Sequence, residues 1–162
     1  MLLGPEGGQA PLLLSFARPG PHPLLLLPGA LASEDLFNVS PAVARRIRIA
    51  FPVLPSDRTP EGMAEYHRLA ERYHLAEQHL SAQLSALAAA KVLVEGLTRA
   101  GREVSRERLI ASVEALRDFP TGLTPPLTFG KNRRTGAAGA HIVELDPTTR
   151  RFVPVGPWIS AD

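Results

Sequence analysis

The apolar positions of this chain begin as short runs that predict strands. Leu24–Leu27 is a run of four leucines closed by a proline and a glycine, and a run that is apolar on both faces suits an interior strand of a parallel sheet covered on two sides. Residues 47–54 predict a second strand, since they contain three β-branched side chains around a phenylalanine. Pro52 and Pro55 place the second half of this strand at an edge or a crossover, because proline cannot donate to a central ladder.

Helical periodicity dominates the middle of the chain. Residues 59–61 place an N-cap threonine, a proline and an acid in order, so we expect a helix over residues 60–73. Residues 77–100 carry leucines near one face and alanines on the remaining surface, which predicts a helix buried against a sheet or another helix, ended by Gly101. Residues 105–116 combine a capping serine with an apolar stripe, which predicts a further helix and therefore a helix pair.

The last 40 residues change to a strand pattern. Residues 123–129, 141–145 and 151–155 predict three strands joined by turns. Strands with intervening helices, a helix pair and a small β tail together indicate an α/β fold. Upstream, the apolar run 1–3 predicts the end of a buried strand and residues 9–18 a short helix.

Composition excludes several classes of function. The net charge is +2, and the two basic clusters at residues 45–48 and 131–134 are not interleaved with aromatic side chains, so we expect solvated turn charges and no nucleic-acid partner. The chain contains no cysteine, which excludes a disulfide, a thiolate zinc site and a thiol nucleophile. No apolar run approaches the roughly 20 residues of a membrane span, so none is expected. No signal peptide is evident in the chain as given.

Candidate chemistry is sparse. His67 and His74 are seven residues apart, near His79, so a metal pair is conceivable, but a helix break is expected between them and solvated surface histidines explain them better. The glycines of residues 4–8 follow a predicted strand, where a phosphate loop would lie, yet they match neither phosphate-binding glycine pattern and indicate a tight turn. No G-x-S-x-G elbow occurs. The residues therefore predict a protein that is not an enzyme and needs no cofactor.

The order of five segments resembles the last third of type I periplasmic solute-binding proteins of ABC transporters, the branched-chain amino acid or leucine-binding kind. These segments are an Ala-rich helix, a second helix, a Leu-Thr-Phe-Gly strand with an Asn/Arg/Gly loop, a strand with its ligand-facing loop, and a crossover strand. They read LSAQLSALAAAKVLVEGLTRAG (80–101), SRERLIASVEALRDF (105–119), GLTPPLTFGKNRRTGAAGAHIVELD (122–146), LLLLPGALASEDLF (24–37) and RIRIAFPVLPSDRTPEG (46–62). The match covers nearly the whole chain.

The resemblance implies a fold and a division of the chain. It implies a partial periplasmic-binding-protein type I fold, with parallel strands and flanking helices, an αα pair and a small C-terminal β segment. Residues 1–50 would belong to the second lobe of the binding fold and residues 51–122 would supply the crossover strand and helices of the first lobe. Residues 123–162 would return to the second lobe. In this family a small solute binds between the lobes at the ends of parallel strands, and the hinge closes on it.

The resemblance also implies candidate ligand-binding residues. Gly29 and Ala30 occupy the loop that, in the family, often holds an acidic residue for the amino group of the ligand, and that acid is absent here. Pro5 and Glu6 lie in the loop of the preceding strand, which also lines the family's cleft. An exposed turn carboxylate is the alternative for Glu6.

These resemblances predict a function and its partners. We expect a substrate-binding component, or a fragment of one, that binds a small amino acid-like or amide solute, is periplasmic and presents the solute to an ABC transporter permease. The alternatives are a truncated or degenerate receptor fragment or interaction domain with no ligand of its own, and an enzyme or regulator on an α/β scaffold. A fragment would expose sheet edges through which it could form a homodimer.

Overall fold

The computed structural model describes residues 23–76 and 78–161. Two compact units divide these residues. The first contains the described residues up to Pro52 and those from Gly139 onward, and the second spans Val53–Ala138. The predictions for residues 1–18, with the candidate site residues Pro5 and Glu6, lie outside the described residues.

The first unit is built on a mixed sheet of five strands. They are β1 (Leu25–Pro28), β2 (Ile47–Phe51), β3 (Gly139–Asp146), β4 (Arg151–Pro154) and β5 (Ile159–Ser160). The order is β1-β2-β3-β4, with β5 paired to β3. Strands β1 and β2 are parallel and the other pairs are antiparallel. This sheet and the helices confirm the predicted α/β class, and the sheet combines one parallel pair with antiparallel pairs.

One face of the sheet forms the core of the first unit. Ile47 and Ile49 of β2 are fully buried, as is Val143 of β3. Two short 3₁₀ turns (Gly29–Leu31 and Glu34–Asn38) and helix α1 (Pro41–Ala44) complete this core. They contribute buried Leu31, Leu36, Val43 and Ala44. The alternation of buried and partly exposed residues along β2 and β3 is the period-two pattern of a strand with one covered face.

Two predictions for these strands were wrong. The run Leu24–Leu27 is not covered on both faces, because Leu24 and Leu26 are 64% and 65% exposed and β1 is an edge strand among the described residues. Strand β2 stops at Phe51 and does not reach residue 54. Pro52 follows directly, and its missing N–H ends the ladder.

The second unit is largely helical. Its elements are a 3₁₀ turn (Pro55–Asp57) and the helices α2 (Pro60–Tyr73), α3 (Leu80–Ala100) and α4 (Arg106–Glu114). The caps are those predicted, since the Thr59 hydroxyl accepts from the Gly62 N–H at 3.1 Å and the Ser105 hydroxyl from the Arg108 N–H at 3.2 Å. Helix α3 begins at Leu80, three residues later than predicted, after His79 in the left-handed conformation.

Packing in the second unit joins α2 to α3. Tyr66 and Leu84 form a buried cluster with Ala88 and Leu123. The Tyr66 hydroxyl donates to Gln83 Oε1 at 2.8 Å. Because the Tyr66 hydroxyl has a hydrogen-bond partner, burial of the ring stabilises the unit without the cost of an unpaired buried polar group.

Residues 123–129 do not form the predicted strand. They make an isolated antiparallel bridge, in which the Phe119 and Leu127 N–H groups donate to each other's carbonyl oxygens at 2.8 and 2.9 Å. Pro125 and Pro126 precede this bridge and have no N–H, so a longer ladder cannot form.

Helix α3 is the one helix among the described residues that is long and apolar enough to cross a membrane. It has 21 residues, and an 18-residue window within it has a mean hydropathy of 1.3 and is 17% buried. Core helices of water-soluble proteins meet the same criteria of length and composition.

A close backbone contact fixes the start of α2. A Cβ atom on Gly62 would lie 2.2 Å from the carbonyl oxygen of Gly122. Gly122 has a φ of +74°, which favours glycine, and its carbonyl accepts from the Thr59 N–H at 2.9 Å. Two glycines therefore let the loop at residue 122 lie directly against the first turn of the helix.

We expect Gly62→Ala to lower the free energy of unfolding by about 1–3 kcal/mol, because the added methyl group would strike backbone that cannot rotate away. Helix propensity alone predicts the opposite sign, a gain of about 1 kcal/mol. Urea unfolding measures the difference. Gly156→Ala is the control, since its Cβ meets nothing within 4 Å. A Gly62→Ala protein as stable as the parent would refute the contact.

The turn between β3 and β4 is organised by one carboxylate. Asp146 accepts from the Thr149 hydroxyl at 2.6 Å and from the Thr148 N–H at 2.9 Å. These hydrogen bonds, the Thr149 hydroxyl first, lower the pKa of Asp146. Since the folded pKa is the lower one, the carboxylate stabilises the turn above the ordinary aspartate pKa. That contribution is lost as the pH falls through the lowered pKa.

Thr149→Val should raise the pKa of Asp146 toward its ordinary value, because it removes the strongest donor. The carboxyl carbon chemical shift of Asp146, followed by NMR between pH 2 and 6, measures this. Thr148→Val keeps the backbone donor and should move the pKa less. Equal pKa values in all three proteins would contradict the proposed cause.

Candidate functional site

The carboxyl edge of the β1–β2 pair is the candidate site. In open α/β sheets, ligands bind outside the carboxyl ends of parallel strands. Strands β1 and β2 are the parallel pair among the described residues, with Pro28 opposite Ala50 at this edge. The edge is formed by the turn Gly29–Leu31 after β1 and by Phe51 at the end of β2.

Gly29 brings the turn against the neighbouring strand. A Cβ atom at this position would lie 2.7 Å from Phe51 Cδ1 and 3.1 Å from the carbonyl oxygen of Ala50. The Gly29 carbonyl closes the turn by accepting from the Ala32 N–H at 3.0 Å. The absence of a side chain at Gly29 is therefore what allows Phe51 to approach the backbone of the turn.

Three phenyl rings form a row that starts with Phe51 at this edge. The centroids of Phe51 and Phe152 are 5.7 Å apart, and those of Phe152 and Phe37 are 5.0 Å apart. The Arg150 guanidinium lies 5.5 Å from the centroid of the Phe37 ring. All three rings are partly exposed. The row ends at Arg150 in the β3–β4 turn, which the strand register places toward the amino end of β2.

Ser33 adds a polar group to the segment after the turn. Within the part of the chain that the structure describes, its hydroxyl oxygen is buried and has no hydrogen-bond partner. Buried polar groups in native proteins usually have a partner from the protein, water or a ligand. Ser33 is therefore a candidate donor to a bound molecule.

The structure places two of the four predicted site residues. Gly29 and Ala30 lie in the turn at the carboxyl edge, and Ala30 is exposed. Their contact with a ligand stays a prediction. The sequence reasoning missed Phe51, which it used only as a strand residue, and Ser33, which it used only as a helix start. The proline after Phe51 was a usable signal, because it marks the end of a strand at this edge.

The groups at this edge are better suited to binding a ligand than to catalysing a reaction. The Phe51 ring, the turn backbone and the Ser33 hydroxyl can hold a small molecule with one apolar and one polar end. Among residues 23–76 and 78–161 there is no cluster of three or more side chains that could hold a metal ion. His74 and His79 both adopt the left-handed conformation in the turn between α2 and α3.

Gly29→Ala should lower the free energy of unfolding by about 1–3 kcal/mol, since the new methyl group would overlap the Phe51 ring and crowd the β2 backbone. Chemical denaturation followed by circular dichroism measures this. Ala30→Ser, one residue along on the exposed side of the turn, should stay within about 0.5 kcal/mol of the parent. Equal stability of the parent and both variants would mean that the turn does not lie against Phe51.

Comparison with known proteins gives a fold-level match. No protein-family model matches the sequence, and no curated protein matches it. Among solved structures, a branched chain amino acid ABC transporter from Thermus thermophilus with bound valine matches with a TM-score of 0.65 at 20% identity. That match covers 96% of this chain and 44% of the other.

Two further structures agree. A fatty acid ABC transporter substrate-binding protein from Thermomonospora curvata matches with a TM-score of 0.59 at 20% identity, covering 94% of this chain and 40% of that one. A substrate-binding periplasmic protein from Ralstonia solanacearum matches with a TM-score of 0.58 at 21% identity, covering 93% and 43%.

These likenesses confirm the fold that the resemblance implied. The chain has part of the fold of type I periplasmic solute-binding proteins. It spans less than half the length of these structures. The neighbours are transport binding proteins and not enzymes.

Proposed function

We propose that this chain is part of the substrate-binding component of an ABC transporter and binds a small amino acid-like or amide solute at the carboxyl edge of β1 and β2. The observation that carries the proposal is the match of 96% of the chain to a binding protein of known fold with valine bound. Sharing a fold does not by itself fix a function, so the proposal also draws on the local geometry.

The contacts at the edge support a solute with an apolar end. Gly29 lets the Phe51 ring contact the turn backbone, and the partly exposed Phe51 and Phe152 rings offer a surface for a branched aliphatic group. The Ser33 hydroxyl is buried and has no hydrogen-bond partner among the described residues. An amide or carboxylate oxygen would satisfy it, which removes the cost of an unpaired buried hydroxyl.

The missing acid narrows the solute class. Residues 28–31 contain no carboxylate, so the turn itself cannot pair with the ammonium group of an amino acid. Pro5 and Glu6 remain proposed ligand contacts from the preceding loop. An amide without an ammonium group is therefore the solute that the described residues favour.

The remaining parts of the proposal follow from the same comparison. We place the protein in the periplasm, with an ABC transporter permease as its partner. The assignment of residues 1–50 and 123–162 to one lobe and residues 51–122 to the other, with hinge closure on the solute, stays a prediction.

A second candidate is a receptor fragment or interaction domain with no ligand of its own. The chain spans 44% of the Thermus thermophilus structure, and helix α3 exposes Leu93 and Val94 at 50% and 62%. A face of this kind is usually covered in a complete domain. These two observations favour the fragment.

A thermal-shift screen decides between the two candidates. The panel is valine, leucine, isobutyramide, isovaleramide and short branched carboxylates, tested at rising concentration. A solute present at 100 times its Kd should stabilise the protein by about 2.7 kcal/mol and raise the Tm by several degrees. Isothermal titration should then show that Ser33→Ala weakens binding about 10-fold.

The control is Val153→Thr, on an exposed position of β4, which should bind as the parent does. A Tm that no member of the panel raises would favour the fragment and reject the solute site. Weakening by Val153→Thr equal to that by Ser33→Ala would place the solute elsewhere.

A further inference from the structure

The chain's only tryptophan lies at the same edge of the sheet as the candidate site. Because β2 and β3 are antiparallel, the amino end of β3 lies beside the carboxyl end of β2, where Phe51 is opposite His141. Strand β5 pairs with this end of β3, with Ala140 opposite Ile159. The next position of that register places Trp158 opposite His141. The tryptophan therefore lies at the carboxyl edge of β2.

The Trp158 ring is held by two residues of β3. The ring centroids of Trp158 and His141 are 5.1 Å apart with an interplanar angle of 73°, which is an edge-to-face contact. A Cβ atom on Gly139 would lie 2.7 Å from Trp158 Cε2 and Cζ2, so the ring packs on backbone that carries no side chain. Trp158 is nevertheless partly exposed. Its ring is fixed by β3 and still accessible from outside.

A bulge gives the tryptophan this position. From Val143 to Ala140, β3 moves three residues, whereas from Pro154 to Ile159 the facing segment moves five, which leaves two extra residues. In a ladder without them, Trp158 would lie two residues nearer the start of β3. Bulges of this kind redirect side chains and are frequent next to functional sites. Here the bulge brings the tryptophan level with the end of β2.

Four residues share one level of this edge. The register of β1 and β2 makes Gly29 level with Phe51. His141 lies opposite Phe51, and Trp158 lies beside His141. We call these four residues the rim. Neighbouring strands are about 4.8 Å apart, so the rim spans about 14 Å from the turn after β1 to the tryptophan. One branched aliphatic side chain is too short to cover that length.

The rim offers rings but no carboxylate. Residues 28–31, 50–52, 139–141 and 156–160 contain no aspartate, glutamate, lysine or arginine. An aryl group packs on another aromatic ring in an offset or edge-to-face arrangement. In the segment that follows the turn, the buried Ser33 hydroxyl would gain a hydrogen bond from an amide. An uncharged solute with an aryl end and an amide end therefore matches the rim.

We infer that the solute site extends along the rim to Trp158 and that its ligand is an aryl-alkyl amide. The amide lies at the turn after β1, beside Ser33, and the aryl group packs against Trp158. This inference rests on the solute site proposed above and narrows its ligand class. A branched aliphatic amide contacts the rim near Gly29 and Phe51, whereas an aryl group on a short alkyl chain reaches the tryptophan. Trp158 is then a specificity-determining residue.

A series of amides tests the extent of the site. Isothermal titration compares isovaleramide with benzamide, phenylacetamide, 3-phenylpropionamide and 4-phenylbutyramide. Affinity should rise as the alkyl chain lengthens, and the best aryl amide should bind about 10-fold more tightly than isovaleramide, which is what one aromatic pair can contribute. Because the chain has a single tryptophan, its fluorescence should change on binding of that aryl amide with the same Kd.

Variants of the tryptophan test its role. Trp158→Leu should weaken the best aryl amide about 10-fold and isovaleramide much less, so the preference for the aryl group is lost. Trp158→Phe keeps an aromatic ring and should keep most of the preference. Val153→Leu, on an exposed position of β4, is the control and should bind both amides as the parent does. Circular dichroism checks that all three variants stay folded.

Two results would overturn the inference and leave the solute site standing. One is an aryl series that binds no more tightly than isovaleramide. The other is an aryl amide that binds Trp158→Leu as tightly as the parent, which would make the tryptophan only a cover for Gly139. If neither isovaleramide nor any aryl amide binds, the proposed solute site is itself rejected, and the inference with it.

Discussion

Strand β2 is the element on which the described structure depends. It pairs in parallel with β1 and antiparallel with β3, so it joins the early and late parts of the chain into one sheet. All of the second unit, Val53–Ala138, lies between β2 and β3 in sequence. The pairing of Ile49 with Val143 is thus a long-range contact whose loop-closure entropy must be offset by burial of both side chains.

The candidate site is a consequence of the same strand. Because Pro28 lies opposite Ala50, the turn after β1 lies beside the last residue of β2. Glycine at position 29 then lets Phe51 contact the turn backbone. A shift of the register by one residue would turn Phe51 to the other face of the sheet and remove the ring from this edge. Register and site are therefore set together.

Local signals predicted the helices well. The N-caps at Thr59 and Ser105 and the proline at residue 60 act within one turn, so the bounds of α2 were those expected. The strand predicted for residues 123–129 was wrong. Its apolar residues favoured a strand, but Pro125 and Pro126 have no N–H to donate to a ladder. The prediction that both faces of Leu24–Leu27 are buried was wrong as well. The residues that cover a face of a sheet are distant in sequence, so a local pattern does not identify them.

The site was less predictable for a physical reason. Gly29 and Ala30 came from a resemblance of segment order, while the importance of Phe51 and Ser33 appears only when strand register and burial are known. The burial of α3 was also predicted less well, because the chain has only part of the fold. The apolar periodicity of α3 predicted a buried helix. The described residues cover two of its sides, and the third stays exposed.

An amide NMR titration is the most direct test of the central claim that a small solute binds at the carboxyl edge of β1 and β2. With isovaleramide as the probe, the account predicts that the largest shifts fall on residues 29–33 and on the amides of Ala50 and Phe51. Spectra that do not change, or whose changes fall mainly on α3 and α4, would contradict it.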